Sequence, residues 1–368
     1  MGTKTVADLL GFDPNAGPKA PNPVAERDIV SLDGAAIIRP DTRRGDREQL
    51  TQVTTVSAYT QYTSADQIQT ELDANRPVNL QPGIVTLDKP ITVSFNNLLR
   101  GHPEGTTINY TGTGSYAILF GESGVSLYDC YVSNFKLYGG GIRIDKAGPA
   151  SAISNVDVYN APEHGFFFNG ATYAGERISL YSCSATGCAG DGLHVVGYDL
   201  HGFLANKFTA SQNMQHGIYL DASSSAVGNS INNAISNCTV TYNCQDGVTD
   251  SEIFIYGYIG NSVVEDTVVR PNTTKPTIGV KLSKRNQSGT VRYPGFTWLK
   301  NLTIEYTNTI GNPNPRAVDI DGGNNITLDG VTMTPSSANI YYTSVLSAAF
   351  VPINLQTSNP AGSRIIEY

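Results

Sequence analysis

Four residues stand immediately before a recurring glycine: His164, Asp191, His216 and Asp246. If the segments that carry them stack as strands roughly 4.8 Å apart, Asp191 and Asp246 lie roughly 9.5 Å from each other with His216 between them. Two carboxyls at roughly 6.5–9.5 Å are what an inverting glycosidase uses, one to protonate the leaving oxygen and one to activate water. His216 adds a group that carries protons near neutral pH. The competing reading is local, because Asp-Gly and His-Gly are turn dipeptides whose side chains bond nearby backbone. Four of the five histidines, His164, His194, His201 and His216, fall in this stretch, which marks a face rather than a mechanism.

The residue two places after each glycine forms a second column: Arg143, Phe167, His194, Tyr219, Thr249 and Lys281. Sugars are held by aromatic faces and planar hydrogen-bonding groups, so this column is a candidate substrate track. Solvated strand surface and a subunit contact are the alternatives. Arg143 and Lys281 would also serve an elimination, which needs a base near the C5 proton of an acidic sugar and a cation near its carboxylate. Asp250 departs from the pattern by falling on an inward position. That points to a register shift, since a buried unpaired carboxylate is costly. In a cleft it would instead join Glu252, Glu265 and Asp266 as an acidic cluster, with a general acid among them. Asp319 and Asp321 are a weaker acidic pair, read as solvated surface.

The elements that must position these residues follow from the repeat itself. Gly141, Gly165, Gly192, Gly217, Gly247 and Gly279 are 24, 27, 25, 30 and 32 residues apart, and most are followed by an apolar, any, apolar triplet. Nine residues before the first five stand Val132, Val156, Cys183, Phe208 and Cys238, all apolar. Stacking like on like builds one continuous core and pairs each strand with strands above and below. The sequence therefore predicts an all-β chain: a right-handed single-stranded parallel β-helix over residues 59–335. Its N-terminal end is closed by a short helix near 64–75, opened by the capping pattern Ser64-Ala65-Asp66-Gln67. Residues 1–58, with five prolines and the polar run 41–47, read as an extended arm, and 336–368 as a strand-rich cap or subunit contact.

Composition narrows the function. A net charge of −8 with scattered lysines and arginines argues against a nucleic-acid ligand. No apolar run is long enough to insert in a membrane, and Met1-Gly2-Thr3-Lys4-Thr5 lacks the regions of a signal peptide. The five cysteines match no zinc or redox spacing and read as small core residues. Asparagine at solenoid turns accounts for the sequons at Asn237, Asn272, Asn286, Asn301 and Asn325. Phosphate loops, dinucleotide fingerprints and nucleophile elbows are missing, and neither a metal nor a cofactor is expected.

From Asp66 to Asn109 a short helix is followed by Val78-Asn79-Leu80-Gln81-Pro82-Gly83, Ile91-Thr92-Val93, Leu99-Arg100-Gly101 and Thr106-Thr107-Ile108. This opening resembles that of pectate-lyase-like β-helices, including many bacteriophage tailspikes and polysaccharide depolymerases. The resemblance implies a homotrimer on the virion tail, made in the host cytoplasm and attached by residues 1–58 to a tail or baseplate protein. It also implies that a host surface polysaccharide is recognised and depolymerised. It carries over no catalytic residue. A non-enzymatic receptor-binding spike and a free-standing lyase, epimerase or fructan transferase are the rival readings.

Overall fold

The computed structural model describes strand residues 29–32 and 35–38, most of the chain from 59 to 334, and strand residues 339–342, 354–356 and 365–367. The gaps within 59–334 are 95, 122–129, 146–150, 170–174, 177–178, 197–199, 202, 223–229, 232, 258, 261, 273–276, 288–289, 293, 307–315 and 322–323. The chain divides into two units, Met1–Ala58 and Tyr59–Tyr368. Within the first, Ile29–Leu32 and Ala35–Ile38 pair antiparallel. The rest of the expected arm lies outside the described residues.

In the second unit the helix Ala65–Asp73 is capped by Ser64, whose side chain accepts the Gln67 N–H, while Gln67 returns its own oxygen to the Thr63 N–H at 2.8 Å. Ala65, Ile68 and Leu72 form its buried face. That face closes one end of the core, where Val78, Leu80 and Ile91 lie.

Beyond the helix the chain winds as a parallel β-helix. One face is an 11-stranded sheet running from Ile91–Val93 through Tyr116–Phe120, Gly141–Ile144, Phe166–Asn169, Leu193–Val196, Ile218–Ala222, Ser251–Gly257 and Ile278–Ser283 to Ile365–Glu367. Two further rows of parallel strands complete each coil. They meet at a corner where one residue per coil takes a left-handed backbone: Asn134, Asn155, Ser182, Lys207, Asn237, Asp266, Asn301 and then Gly330, with φ between 48° and 65°. Asparagine tolerates that region best among residues with a Cβ, which is why Asn237 and Asn301 stand at such turns. Directly after the corner an inward residue stacks from coil to coil, Phe135, Val156, Cys183, Phe208, Cys238 and Leu302. The sequence column named Val132 in the first of these places, but Val132 pairs with Ile153 and Phe135 with Val156.

All five cysteines are buried and free, and burial pushes the Cys183 thiol up to about 12. The recurring glycines have a steric cause. A Cβ on Gly192 would meet Asn213 Nδ2 and the Gly217 carbonyl, each at 2.7 Å, and one on Gly217 would meet Val240 Cγ1 at 2.2 Å. The side chains of the opposite corner lean against these backbones. Gly217→Ala is therefore expected to destabilise by about 1–3 kcal/mol, read by denaturant unfolding; an unchanged midpoint would mean that the corner yields freely.

The coil after Ile278–Ser283 carries the antiparallel hairpin Arg285–Gln287 and Thr290–Arg292, which lies beyond the last of the recurring glycines. Parallel pairing continues past residue 335, since Asn354–Gln356 adds to Thr327–Asp329 and Ile365–Glu367 to Asn339–Tyr342.

Candidate functional site

On the 11-stranded sheet the inward side chains alternate with an outward row whose register is fixed by strand pairing. Arg143 pairs with Phe167, Phe167 with His194, His194 with Tyr219, Tyr219 with Phe254, and Phe254 with Lys281. Five of these are the residues read from the sequence. The sixth is corrected: Thr249 is not in the row, because the coil containing Gly247 is shifted by five residues and Phe254 takes the place. Gly247 sits in a turn with φ 79°, and Val248 beside it is 88% exposed. Asp250 is correspondingly not inward. Its half-exposed carboxylate pairs with the Lys281 ammonium at 2.5 Å, so the register-shift reading stands.

The row is a continuous run of ring contacts, edge-on between Phe167 and His194, tilted between His194 and Tyr219, and stacked between Tyr219 and Phe254. Phe167 and His194 have centroids 5.4 Å apart, His194 and Tyr219 4.6 Å, Tyr219 and Phe254 5.1 Å. Tyr116 extends it at 5.9 Å from Phe167. Cations close both ends, with Arg143 over Phe167 at 5.7 Å and Lys281 over Phe254 at 5.4 Å. Each cation is already paired, Arg143 with both oxygens of Asp145 and Lys281 with Asp250. At about 4.8 Å per coil, the ladder from Arg143 to Lys281 is about 24 Å long.

Beside the ladder lie His164, Asp191 and His216, one on each of three successive coils. Asp191 is 1% exposed. Its Oδ1 accepts the His216 backbone N–H at 2.8 Å, and its Oδ2 lies 2.9 Å from His194 Nδ1 and 3.3 Å from His164 Nδ1. Burial alone would raise its pKa, but His164, His194 and His216 around it hold the carboxyl well below the usual range. A group held so firmly ionised and so deeply covered does not serve as a sugar's general acid.

His216 points its Nδ1 at the Ser251 carbonyl, 2.6 Å away. That oxygen can only accept, so Nδ1 carries the hydrogen and the lone pair is left on Nε2. Burial pushes the His216 pKa below the usual histidine value, against the pull of Asp191, so the ring is neutral at pH 7. The ring lies 5.1 Å from both Tyr219 and Phe254, in the middle of the ladder.

The other acids read from the sequence are placed elsewhere. Asp246 folds back on its own turn, Oδ1 accepting the N–H groups of Val248 and Thr249 and Oδ2 the Thr249 hydroxyl. The turn-dipeptide reading accounts for it, and the column before the glycines continues through Ser251 instead. Glu252 is fully buried and accepts from Asn243 and Asn272. Glu265 faces Lys300 and Asp266 bonds Asn301, so the expected acidic cluster does not assemble. Asp319 pairs with Arg316 and Asp321 with Lys284. The side chain of His201 lies outside the described residues.

Comparison with known proteins bears on the fold. No family model matches the sequence, and no curated protein sequence matches it. Among solved structures, the enzymatically active domain of bacteriophage CBA120 tailspike protein 2 superimposes with a TM-score of 0.55 at 11% identity, over 86% of this chain and 50% of that one. It shares the parallel β-helix fold of that tailspike. Full-length tailspike protein 2 from the Escherichia coli O157:H7 phage matches at 0.50 and 11% identity, over 93% and 48%. An alginate lyase from Paenibacillus sp. FPU-7 matches at 0.50 and 15% identity, over 76% and 96%. The chain thus spans about half the length of the tailspike structures it matches. Among the described residues no helix is long and apolar enough to cross a membrane.

Proposed function

We propose that the protein is a tailspike-type β-helix that lays a host surface polysaccharide along the aromatic ladder and cleaves it beside His216. The observation that carries this reading is the ladder itself: rings on four successive coils, flanked by ion-paired Arg143 and Lys281, on the sheet that also presents a neutral histidine. Aromatic faces bind the apolar faces of sugars without requiring charge, and in a chain of net charge −8 an acidic sugar depends on the local cations at the ladder's ends, Arg143 and Lys281. An enzymatically active tailspike domain and an alginate lyase share the fold, which adds support. A homotrimer, and attachment to a tail or baseplate protein through residues 1–58, belong to the same proposal.

For the reaction, proton abstraction suits the site better than hydrolysis by a carboxylate pair, since Asp191 is covered and Asp246 is spent on its turn. His216 Nε2 takes the proton from the carbon next to a uronate carboxylate. The electron pair forms the new carbon–carbon double bond as the neighbouring glycosidic C–O bond breaks, and the Tyr219 hydroxyl returns a proton to the leaving oxygen. Lys281, once released from Asp250, is the cation for the acidic sugar. Binding without cleavage is the second reading, favoured by the prior pairing of both cations with carboxylates.

The test is a panel of bacterial surface polysaccharides, scored for binding, reducing-end release and absorbance of unsaturated uronates. Tyr219→Ala and Phe254→Ala are each expected to weaken binding by about 10-fold, the loss of one stacking face. Thr249→Ala, off the ladder, should leave it unchanged. Reducing ends without unsaturated product would replace elimination by hydrolysis, binding alone would select the second reading, and equal binding by all three variants would remove the ladder from the site.

A further inference from the structure

We propose that His164, Asp191 and His194 form a binding site for one divalent first-row transition ion of the zinc class, held between two neighbouring coils beneath the ladder. No metal was expected from the sequence, because the ligands come from the strand-preceding turns of two neighbouring coils and from the strand that follows the second, at spacings no linear pattern marks. In three dimensions their donor atoms all lie within 4.8 Å of one another. Two ligands bonded at about 2.0–2.1 Å to a tetrahedral ion are about 3.3 Å apart. The Asp191 Oδ2 to His164 Nδ1 and His194 Nδ1 distances, 3.3 and 2.9 Å, are of that size.

The second observation is what these atoms lack. Asp191 Oδ2 and both ring nitrogens of His194 are buried without a well-directed hydrogen bond, although Oδ2 sits in a side chain only 1% exposed. Buried polar atoms are ordinarily satisfied, and leaving them so is costly. A cation shared by the three side chains satisfies them together. Two imidazoles and one carboxylate suit zinc and its neighbours, whereas calcium and magnesium take oxygen ligands. Three protein ligands leave a fourth position for water, as in open zinc sites.

The rings are held where they are needed. His164 stacks on Phe167 at 5.3 Å and meets His194 edge-on at 4.5 Å. His164 Nδ1 also accepts the Asp191 N–H at 3.0 Å, so an ion bound there takes the lone pair from that amide. This gives binding a signature of its own, faster exchange of the Asp191 amide.

The experiment uses the full chain, dialysed against chelator, with Zn²⁺ as the probe in calorimetry and Co²⁺ for its visible absorption. One equivalent per chain is expected, with Zn²⁺ raising the thermal midpoint of the wild type. His194→Ala and Asp191→Asn should each weaken binding by at least about 100-fold, more than loss of a supporting contact does. His102→Ala, remote in the first coils, should not. Because Asp191→Asn risks misfolding, His194, whose side chain is 14% exposed against 1% for Asp191, decides the matter, with circular dichroism as the check on fold. Failure of the wild type to bind stoichiometrically would overturn the site, as would full retention of binding in His194→Ala. The assay involves no sugar, so it stands or falls apart from the proposed polysaccharide activity.

Discussion

His216→Ala is expected to lower polysaccharide cleavage by about 10²–10⁴-fold, the usual worth of a positioned general base, with binding changed by less than about threefold. The split follows from the geometry. The ring contributes one of several faces to the ladder, so its loss costs little in the ground state. Its Nε2 lone pair, fixed by the Nδ1 contact to the Ser251 carbonyl, is needed only as the proton moves. His216→Gln should be as inactive as alanine, because an amide nitrogen has no basic lone pair. A purely structural role would instead show as parallel losses of binding, thermal midpoint and turnover in both variants. Cleavage within about threefold of wild type in His216→Ala would remove this residue from the chemistry.

How much of this site was legible in the sequence depends on what each residue does to the repeat. Gly165, Gly192 and Gly217 could be read because the opposite corner crowds their backbones, which forces one residue type at one place per coil. The outward row then followed by counting two residues on, and it held for Arg143, Phe167, His194, Tyr219 and Lys281. It failed at Gly247-Val248-Thr249 because a turn glycine followed by an exposed valine imitates the pattern of a strand start. The true equivalents, Ile253, Phe254 and Ile255, follow a residue that is not glycine, and Glu252 breaks the only marker in use. The left-handed corner was partly hidden for a related reason. Asn134, Asn155, Asn237 and Asn301 announce it, but Ser182, Lys207 and Asp266 fill the same conformation, and one-residue turns leave no run to detect. The contact of Asp191 with His194 across a strand start depends on side-chain direction, which residue spacing does not encode.

Glu252→Ala is expected to destabilise the fold by about 3–5 kcal/mol, the largest single effect on stability foreseen here. Asn213 and Asn243 stack as a buried pair at one corner, Asn213 taking Cys188 N–H on its oxygen and Asn243 doing the same for Asn213. The ladder needs a final acceptor, and Glu252 supplies it. Its carboxylate receives the Asn243 backbone and side-chain N–H groups, at 3.0 and 2.6 Å, and the Asn272 N–H at 3.1 Å. Alanine would strand all three donors in the core, where each unpaired group costs about 1–3 kcal/mol.

The same residue sets a pH dependence with a definite sign. Burial pushes its pKa up from 4.5 to about 7, outweighing the pull of those donors. Between these values the folded chain holds a proton that the unfolded chain has released, so stability is fully present below about 4.5 and is lost as pH rises through about 7. The total is about 3 kcal/mol, and the Cys244 and Tyr306 side chains, both buried and raised by this carboxylate's charge, remain neutral throughout. Glu252→Gln keeps one acceptor and removes the titration, at the expense of turning its amide nitrogen toward Asn243 Nδ2. Subtracting its denaturant stability from that of the wild type at each pH isolates Glu252, since His216 and the surface carboxylates titrate alike in both. The difference should fall by about 3 kcal/mol between pH 4.5 and pH 8; a flat difference would place the Glu252 pKa near its ordinary value, with the three donors winning over burial.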